Sequence, residues 1–242
     1  MKSVRRSPAA LKYSSALSAV EAATVQFAAR GGGRGVLVPG GFILTAAHCI
    51  RWSLEGGMAL GDDYVEKAKT ADGEVLQLSV LAVEPVTDIA VLGSPDAQHI
   101  PDAAQKFDEF AARTKPVPVF IGAMEPVITR KKLGSLTMSV PTPFAMPILI
   151  YNLDKRWVKG TGTVFKSGQP TVWVETDEEI KGGASGGPIV TLDGELVAIV
   201  SNSSCQTGPG DGNGPRILRA LPAWIADEIV LADKVFAKKG KT

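Results

Sequence analysis

The chain predicts an all-β architecture, a sandwich or a barrel, on three observations. Short apolar runs recur along most of its length, each closed by glycine, proline or acidic clusters. Strands do not alternate with long helical patterns, as they would in a parallel sheet. The 242 residues also suffice for one large all-β unit with a substantial core.

Residues 22–29 form a strand-like run of alanine, valine and phenylalanine, which Gly31-Gly32-Gly33-Arg34-Gly35 breaks. Val36-Leu37-Val38, the turn Pro39-Gly40-Gly41 and Phe42-Ile43-Leu44-Thr45 then predict a hairpin. Its second strand runs directly into Ala46-Ala47-His48-Cys49, so His48 stands at a strand end on a rigid base. Further apolar runs lie at 58–60, 75–83 and 88–92. Residues 102–114 depart from the pattern: Phe107, Phe110 and Ala111 recur at helical spacing, with Asp102 placed to cap a short surface helix. A second set of strands is expected at 116–121, 133–140, 147–153, 160–165 and 170–176, followed by 188–190 and 195–200. Residues 205–215 read as a loop and 221–232 as a closing helix with proline in its first turn.

Lysine plus arginine (26) nearly balance aspartate plus glutamate (25). That balance removes the electrostatic case for nucleic acid or an anionic membrane as main partner. No apolar stretch approaches the ~20 residues of a membrane-spanning helix, so a soluble protein is expected. Residues 1–20 hold Lys2, Arg5, Arg6 and Lys12, five serines and no acid. Lacking a secretory-type apolar segment, they are expected to be a flexible basic tail; a transit peptide or a weak twin-arginine signal are the other readings. The expected location is cytoplasmic. Two cysteines, Cys49 and Cys205, make no disulfide framework and suit a reducing compartment. With two isolated histidines and two distant cysteines there is no metal-ligand cluster, and neither metal nor cofactor is expected.

The stretch Lys181-Gly182-Gly183-Ala184-Ser185-Gly186-Gly187-Pro188 sets one serine among four glycines. A serine hydroxyl becomes a competent nucleophile only beside a base that a third group orients. The chain has two histidines, and His99, in the loop Asp96-Ala97-Gln98-His99, has nothing near it to suggest a role. His48 is the better base. The acid is sought at Asp88, where a carboxylate begins the apolar strand Ile89-Ala90-Val91-Leu92. A partly buried carboxylate there needs hydrogen bonds, and an imidazole N–H is a suitable donor.

Together, TAAHC at 45–49, DIAVL at 88–92 and GGASGGP at 182–188 resemble the three signature segments of the trypsin-like (chymotrypsin-fold) serine peptidases, in the family's order. The resemblance covers roughly residues 22–229. It implies two six-stranded antiparallel Greek-key β-barrels with a C-terminal helix: 21–125 would carry His48 and Asp88, and 126–242 Ser185. By role it implies Ser185 as nucleophile, His48 as base and then acid, Asp88 as orienting carboxylate, and an oxyanion hole from the N–H groups of Gly183 and Ser185. Glu175-Thr176-Asp177, Leu192-Asp193-Gly194-Glu195 and Gly33-Arg34-Gly35-Val36-Leu37 are similar to the HtrA/Deg branch, here without room for a PDZ domain. Val200-Ser201-Asn202-Ser203 instead resembles the trypsin-type strand that pairs with substrate. Ser201, Asn202 and Ser203 would then line the substrate, and Ser201 would bond Asp88.

The specificity implied is divided. Glu179 occupies the family's pocket-base position and would select lysine or arginine, whereas the HtrA-like branch goes with a small apolar pocket. Two departures matter. Ala184 stands where secreted relatives carry an aspartate that pairs with a newly cut N-terminus, so activation by such a cut is not expected. The positions that would pair with Cys49 and Cys205 fall on Gly33 and Lys181, so neither family disulfide is expected. The function expected is a serine endopeptidase acting on protein or peptide substrates through an acyl-enzyme. The alternative is a catalytically silent fold that binds peptides by strand addition. An esterase reading of Gly183-Ala184-Ser185-Gly186-Gly187 fails, because that motif needs a following helix and here a strand follows. No segment specifies the oligomeric state.

Overall fold

Antiparallel pairing organises the N-terminal half, and its turn chemistry decides where the chain is delivered. In this computed structural model the described residues are 8–28, 32–50, 65–84, 88–120, 128–133, 136–141, 144–152, 154–165, 171–176, 178, 180, 182–201 and 216–219. Strands β1 (Thr24–Phe27), β2 (Arg34–Val38), β3 (Phe42–Ala46), β4 (Val65–Lys69), β5 (Val75–Glu84) and β6 (Ile89–Gly93) close into a barrel in the order β1-β2-β3-β6-β5-β4. The predicted hairpin is β2–β3, in register Val38 with Phe42 and Gly35 with Thr45. Across the sheet, β3 pairs with β6 so that Ala46 faces Ile89. The next residues along, Ala47 and Asp88, are therefore brought together by register alone. β4 was not expected from the sequence: in Val65-Glu66-Lys67-Ala68-Lys69 only Ala68 is an apolar residue facing the core, which leaves the alternation illegible.

The second half contains a sheet of β9 (Phe144–Tyr151), β10 (Trp157–Phe165), β11 (Thr171–Thr176), β12 (Pro188–Thr191), β13 (Leu196–Ile199) and β14 (Arg216–Arg219). Its order is β13-β12-β9-β10-β11-β14. Followed from β9, the succession is first, second, third, sixth, fifth, fourth, the same as in the N-terminal barrel. Here the ring is open, for β13 and β14 are neighbours with no ladder between them among the described residues. β7 (Ile128–Leu133) and β8 (Leu136–Pro141) form a separate hairpin. Residues 116–121, expected as a strand, make only a bridge from Val119 to Leu196, since Pro116 and Pro118 have no N–H to give a ladder. The expected run at 58–60, the loop at 205–215 and the closing helix from Leu221 lie outside the described residues.

Among the described residues two α-helices complete the frame. Of the flexible tail expected over 1–20, residues 8–20 belong instead to α1 (Pro8–Ala22), and residues 1–7 lie outside the described residues. Proline in its first position and an alanine-rich body favour the helix, and docking holds it: Leu17 and Val20 are buried in the main core cluster. α2 (Pro101–Arg113) confirms the second helical pattern, with Ala103, Ala104, Phe107 and Phe110 buried. Asp102 is not its cap, because the cap position is Ile100 and the helix opens on Pro101; the carboxylate lies in the first turn, where it complements the helix dipole. The main core cluster fills the barrel and also takes in Leu149, Val190, Leu196 and Ile199 at the junction, while a second cluster, with Ile148, Ile150, Val174, Ile189 and Ala198 among its members, lies within the second half.

Leu17→Ala should lower unfolding stability by about 2–3 kcal/mol, the low end for a buried leucine because the site lies at the edge of the core. Chemical denaturation measures this, and an unchanged midpoint would mean that α1 is undocked in solution.

Candidate active site

The register that sets Ala46 against Ile89 continues one step past the strands. The Ala47 N–H donates to the Asp88 carbonyl at 3.0 Å, and a 3-10 turn over Ala47–Cys49 lifts His48 off the sheet. The His48 N–H donates to Asp88 Oδ1 at 3.0 Å, and His48 Nδ1 lies 2.8 Å from Asp88 Oδ2. The Ser201 hydroxyl donates to the same Oδ2 at 2.6 Å. Asp88 itself has φ +56°, a left-handed conformation that aspartate tolerates better than most residues. Desolvation works to raise the Asp88 pKa, but bonds from His48 and Ser201 outweigh it and hold the carboxyl below its ordinary value. The hydrogen bond with Asp88 is the main cause that pushes the His48 pKa up, with the Cys49 thiol adding to it and burial opposing.

Ser185 sits in a tight turn. The Gly187 N–H donates to the Ala184 carbonyl at 2.9 Å, and Gly186 has φ +76°. A positive φ at the third position makes this a type II turn with Ser185 at its second position, and glycine is needed at 186. The peptide unit joining 185 and 186 is pinned at both ends: Arg34 N–H donates to Ser185 O at 2.7 Å, and Gly186 N–H donates to Val200 O at 2.6 Å. The Ala184 carbonyl points into the turn, so the Ser185 N–H, opposite it across a trans peptide, points out. Ala184 is fully buried beneath. The turn also abuts the histidine strand, since a Cβ on Gly186 would collide with Thr45 Oγ1 and sit 3.0 Å from the Ala46 nitrogen.

The other predicted residues fall into place unevenly. Ser201 makes the bond to Asp88 that was expected of it. Gly183 takes φ +88° in the turn leading to Ala184. Glu179, Asn202 and Ser203 lie outside the described residues. His99 does have an acidic neighbour, Asp96 at 2.7 Å, but the pair stands on the surface with the imidazole 79% exposed, far from the conditions a catalytic base needs. Cys49 is a buried free thiol, and a Cβ at Gly33 would overlap its sulfur, which identifies Gly33 as the position a pairing cysteine would need. Among the described residues no three His, Cys, Asp or Glu side chains converge to hold a metal ion. Sequence reading missed Arg34 and Thr45 as supports of the serine turn; a lone arginine in a run of glycines was the available signal.

The profile of the trypsin-like peptidase domain matches residues 33–199, more than half of the chain. The chain belongs to this family. A probable periplasmic serine endoprotease, DegP-like, from Pseudomonas putida is 24% identical over 189 residues, 78% of this chain and 32% of that relative. A protein of the same name from Marinomonas is 32% identical over 99 residues, 41% of this chain and 20% of the relative. The chain thus spans a third or less of the length of these curated relatives. Among solved structures, the serine endoprotease from Yersinia pestis superposes with a TM-score of 0.54 at 21% identity, covering 96% of this chain and 68% of that one. That likeness is one of fold.

The expectation of a cytoplasmic location is overturned by these comparisons, because the curated relatives are named periplasmic. It had rested on the absence of a secretory-type run in residues 1–20, and most of that stretch is part of the folded helix α1.

The His48 imidazole should titrate above its ordinary 6.5, and Asp88→Asn should bring it back toward that value, read by NMR of the ring protons. The protonated imidazole therefore stabilises the fold fully below pH 6.5, and that contribution is lost as pH rises through the raised value. Asp88 has the opposite sign: its contribution is present above 3.8 and lost as pH falls through the depressed value. An imidazole that titrates identically in both proteins would refute the coupling.

Proposed function

We propose that the chain is a serine endopeptidase that cleaves peptide bonds through an acyl-enzyme, with Ser185, His48 and Asp88 as its triad. The observation that carries this reading is the serine turn pinned at both ends beside a histidine whose Nδ1 is held by a carboxylate. In the neutral imidazole, the form that prevails above its raised pKa, Nδ1–H donates to Asp88 and the other ring nitrogen, Nε2, is left with a lone pair as the base. Ser185 Oγ bonds to the scissile carbonyl carbon while His48 Nε2 takes its proton. The carbonyl π electrons move to oxygen, where the outward Ser185 N–H and that of Gly183 receive them; each such donor is typically worth ~2.7–4 kcal/mol in the transition state. Collapse breaks the C–N bond, and the imidazolium returns the proton to the leaving amine. Water then repeats the sequence on the ester, releasing acid and free Ser185.

The substrate is a protein or peptide segment in extended form, for which Ser201, Asn202 and Ser203, by their resemblance to the trypsin-type pairing strand, would supply the partner. Glu179, which by resemblance takes the family's pocket-base position, would favour lysine or arginine. The shared strand order supports two Greek-key barrels, 21–125 and 126–242, the second closing between β13 and β14, with His48 and Asp88 from one half and Ser185 from the other. An exported location agrees with the names of the relatives.

Ser185→Ala should keep its fold and lose casein cleavage and fluorophosphonate labelling, with a fall in turnover on the order of 10⁶. Retained cleavage would sink the assignment. A folded wild type that is neither labelled nor active would instead favour the silent peptide-binding module.

A further inference from the structure

We propose that Arg34 is a positioning residue for the Ser185 turn, its side chain doing here what an inserted N-terminus does where Ala184 is an aspartate. This rests on Ser185 being the nucleophile.

The main chain of Arg34 is the floor on which the turn lies. Its N–H donates to Ser185 O at 2.7 Å, and its carbonyl accepts the Thr45 hydroxyl at 2.5 Å. A Cβ on Gly186 would collide with that same carbonyl oxygen. Any residue at 34 could offer these backbone groups, and the ladders already hold the strand itself, pairing Gln26 with Arg34 and Gly35 with Thr45; the side chain is what ties this strand end to the second half. Arg34 lies between Gly33 and Gly35, which have no side chains of their own to fix the backbone. The arginine side chain supplies the anchor. Its stem runs beneath the turn, where a Cβ on Gly187 would meet Arg34 Cδ at 3.5 Å. Its guanidinium donates to the Tyr151 carbonyl at 2.9 Å and lies 4.4 Å over the Tyr151 ring. That ring in turn packs 4.9 Å from Trp157, whose Nε1–H donates to Glu21 of α1 at 2.7 Å. The start of β2 is thereby clamped to the end of β9 and to the N-terminal helix.

An arginine only 3% exposed is a costly way to gain stability, since the cost of burying its charge offsets most of what its partners return. It is an effective way to fix geometry. A planar fork that both stacks and donates allows far less freedom than a flexible ammonium. Displacement of a reacting group by ~1 Å can cost ~10²-fold in rate, and the Arg34 N–H sets where the Ser185 carbonyl lies.

Arg34→Met keeps the stem and removes the fork; Arg34→Lys keeps the charge and is the variant least expected to disturb folding. For each, the fluorophosphonate labelling rate, kcat, KM and Tm are measured against wild type on a peptide substrate. Displacement of the turn predicts kcat and labelling falling together, by ~10–100-fold for Arg34→Met and ~3–10-fold for Arg34→Lys, with KM within about twofold of wild type. If wild type is labelled and a folded Arg34 variant matches it in kcat and labelling, the inference is overturned while the triad stands. A fall in Tm alone has the same force. A folded wild type that is not labelled at all overturns the nucleophile reading, and the role of Arg34 with it.

Discussion

One carboxylate holds the site together. Asp88 accepts from the His48 main chain, the His48 ring and the Ser201 hydroxyl, while its own carbonyl accepts from Ala47. These donors come from the 3-10 turn after β3 and from Ser201, two residues beyond β13. A charge so placed would be expensive without them. The strained φ of +56° belongs to the same bargain, since it lets the carboxylate turn back toward the histidine at the head of β6.

The serine turn depends on the sheets in a different way. It carries few side chains, so its shape comes from backbone bonds to both halves: Arg34 on one side and Val200 on the other. The main core cluster packs Val36, Leu37 and Val38 of β2 together with Val190, Leu196 and Ile199 and so ties together the strands from which those two anchors extend. A change in how the sheets pack would therefore be felt at Ser185 before any residue of the site was altered.

Much of this was legible in the sequence. The hairpin β2–β3 follows from Pro39-Gly40-Gly41 between apolar runs, and once β3 ends at Ala46 the place of His48 is decided. Asp88 and Ser201 were legible through the apolar strands they adjoin. β4 was hidden because its charged residues mask a short alternation, and α1 because helix-forming alanines beside basic residues and serines look like a tail until Leu17 and Val20 are seen to dock. Arg34 offered only the faint signal of a lone arginine among glycines, and its role could not be read from it. Its neighbours in sequence are glycines, and what defines it, Tyr151 and the serine turn, lies more than a hundred residues away.

Gly33 carries a consequence for how the molecule meets its surroundings. Because Cys49 is free and faces a residue without a side chain, the histidine turn is held by hydrogen bonds and packing alone. Its integrity is thus indifferent to the thiol–disulfide poise of the compartment, and no oxidative folding step stands between synthesis and an assembled histidine–aspartate pair.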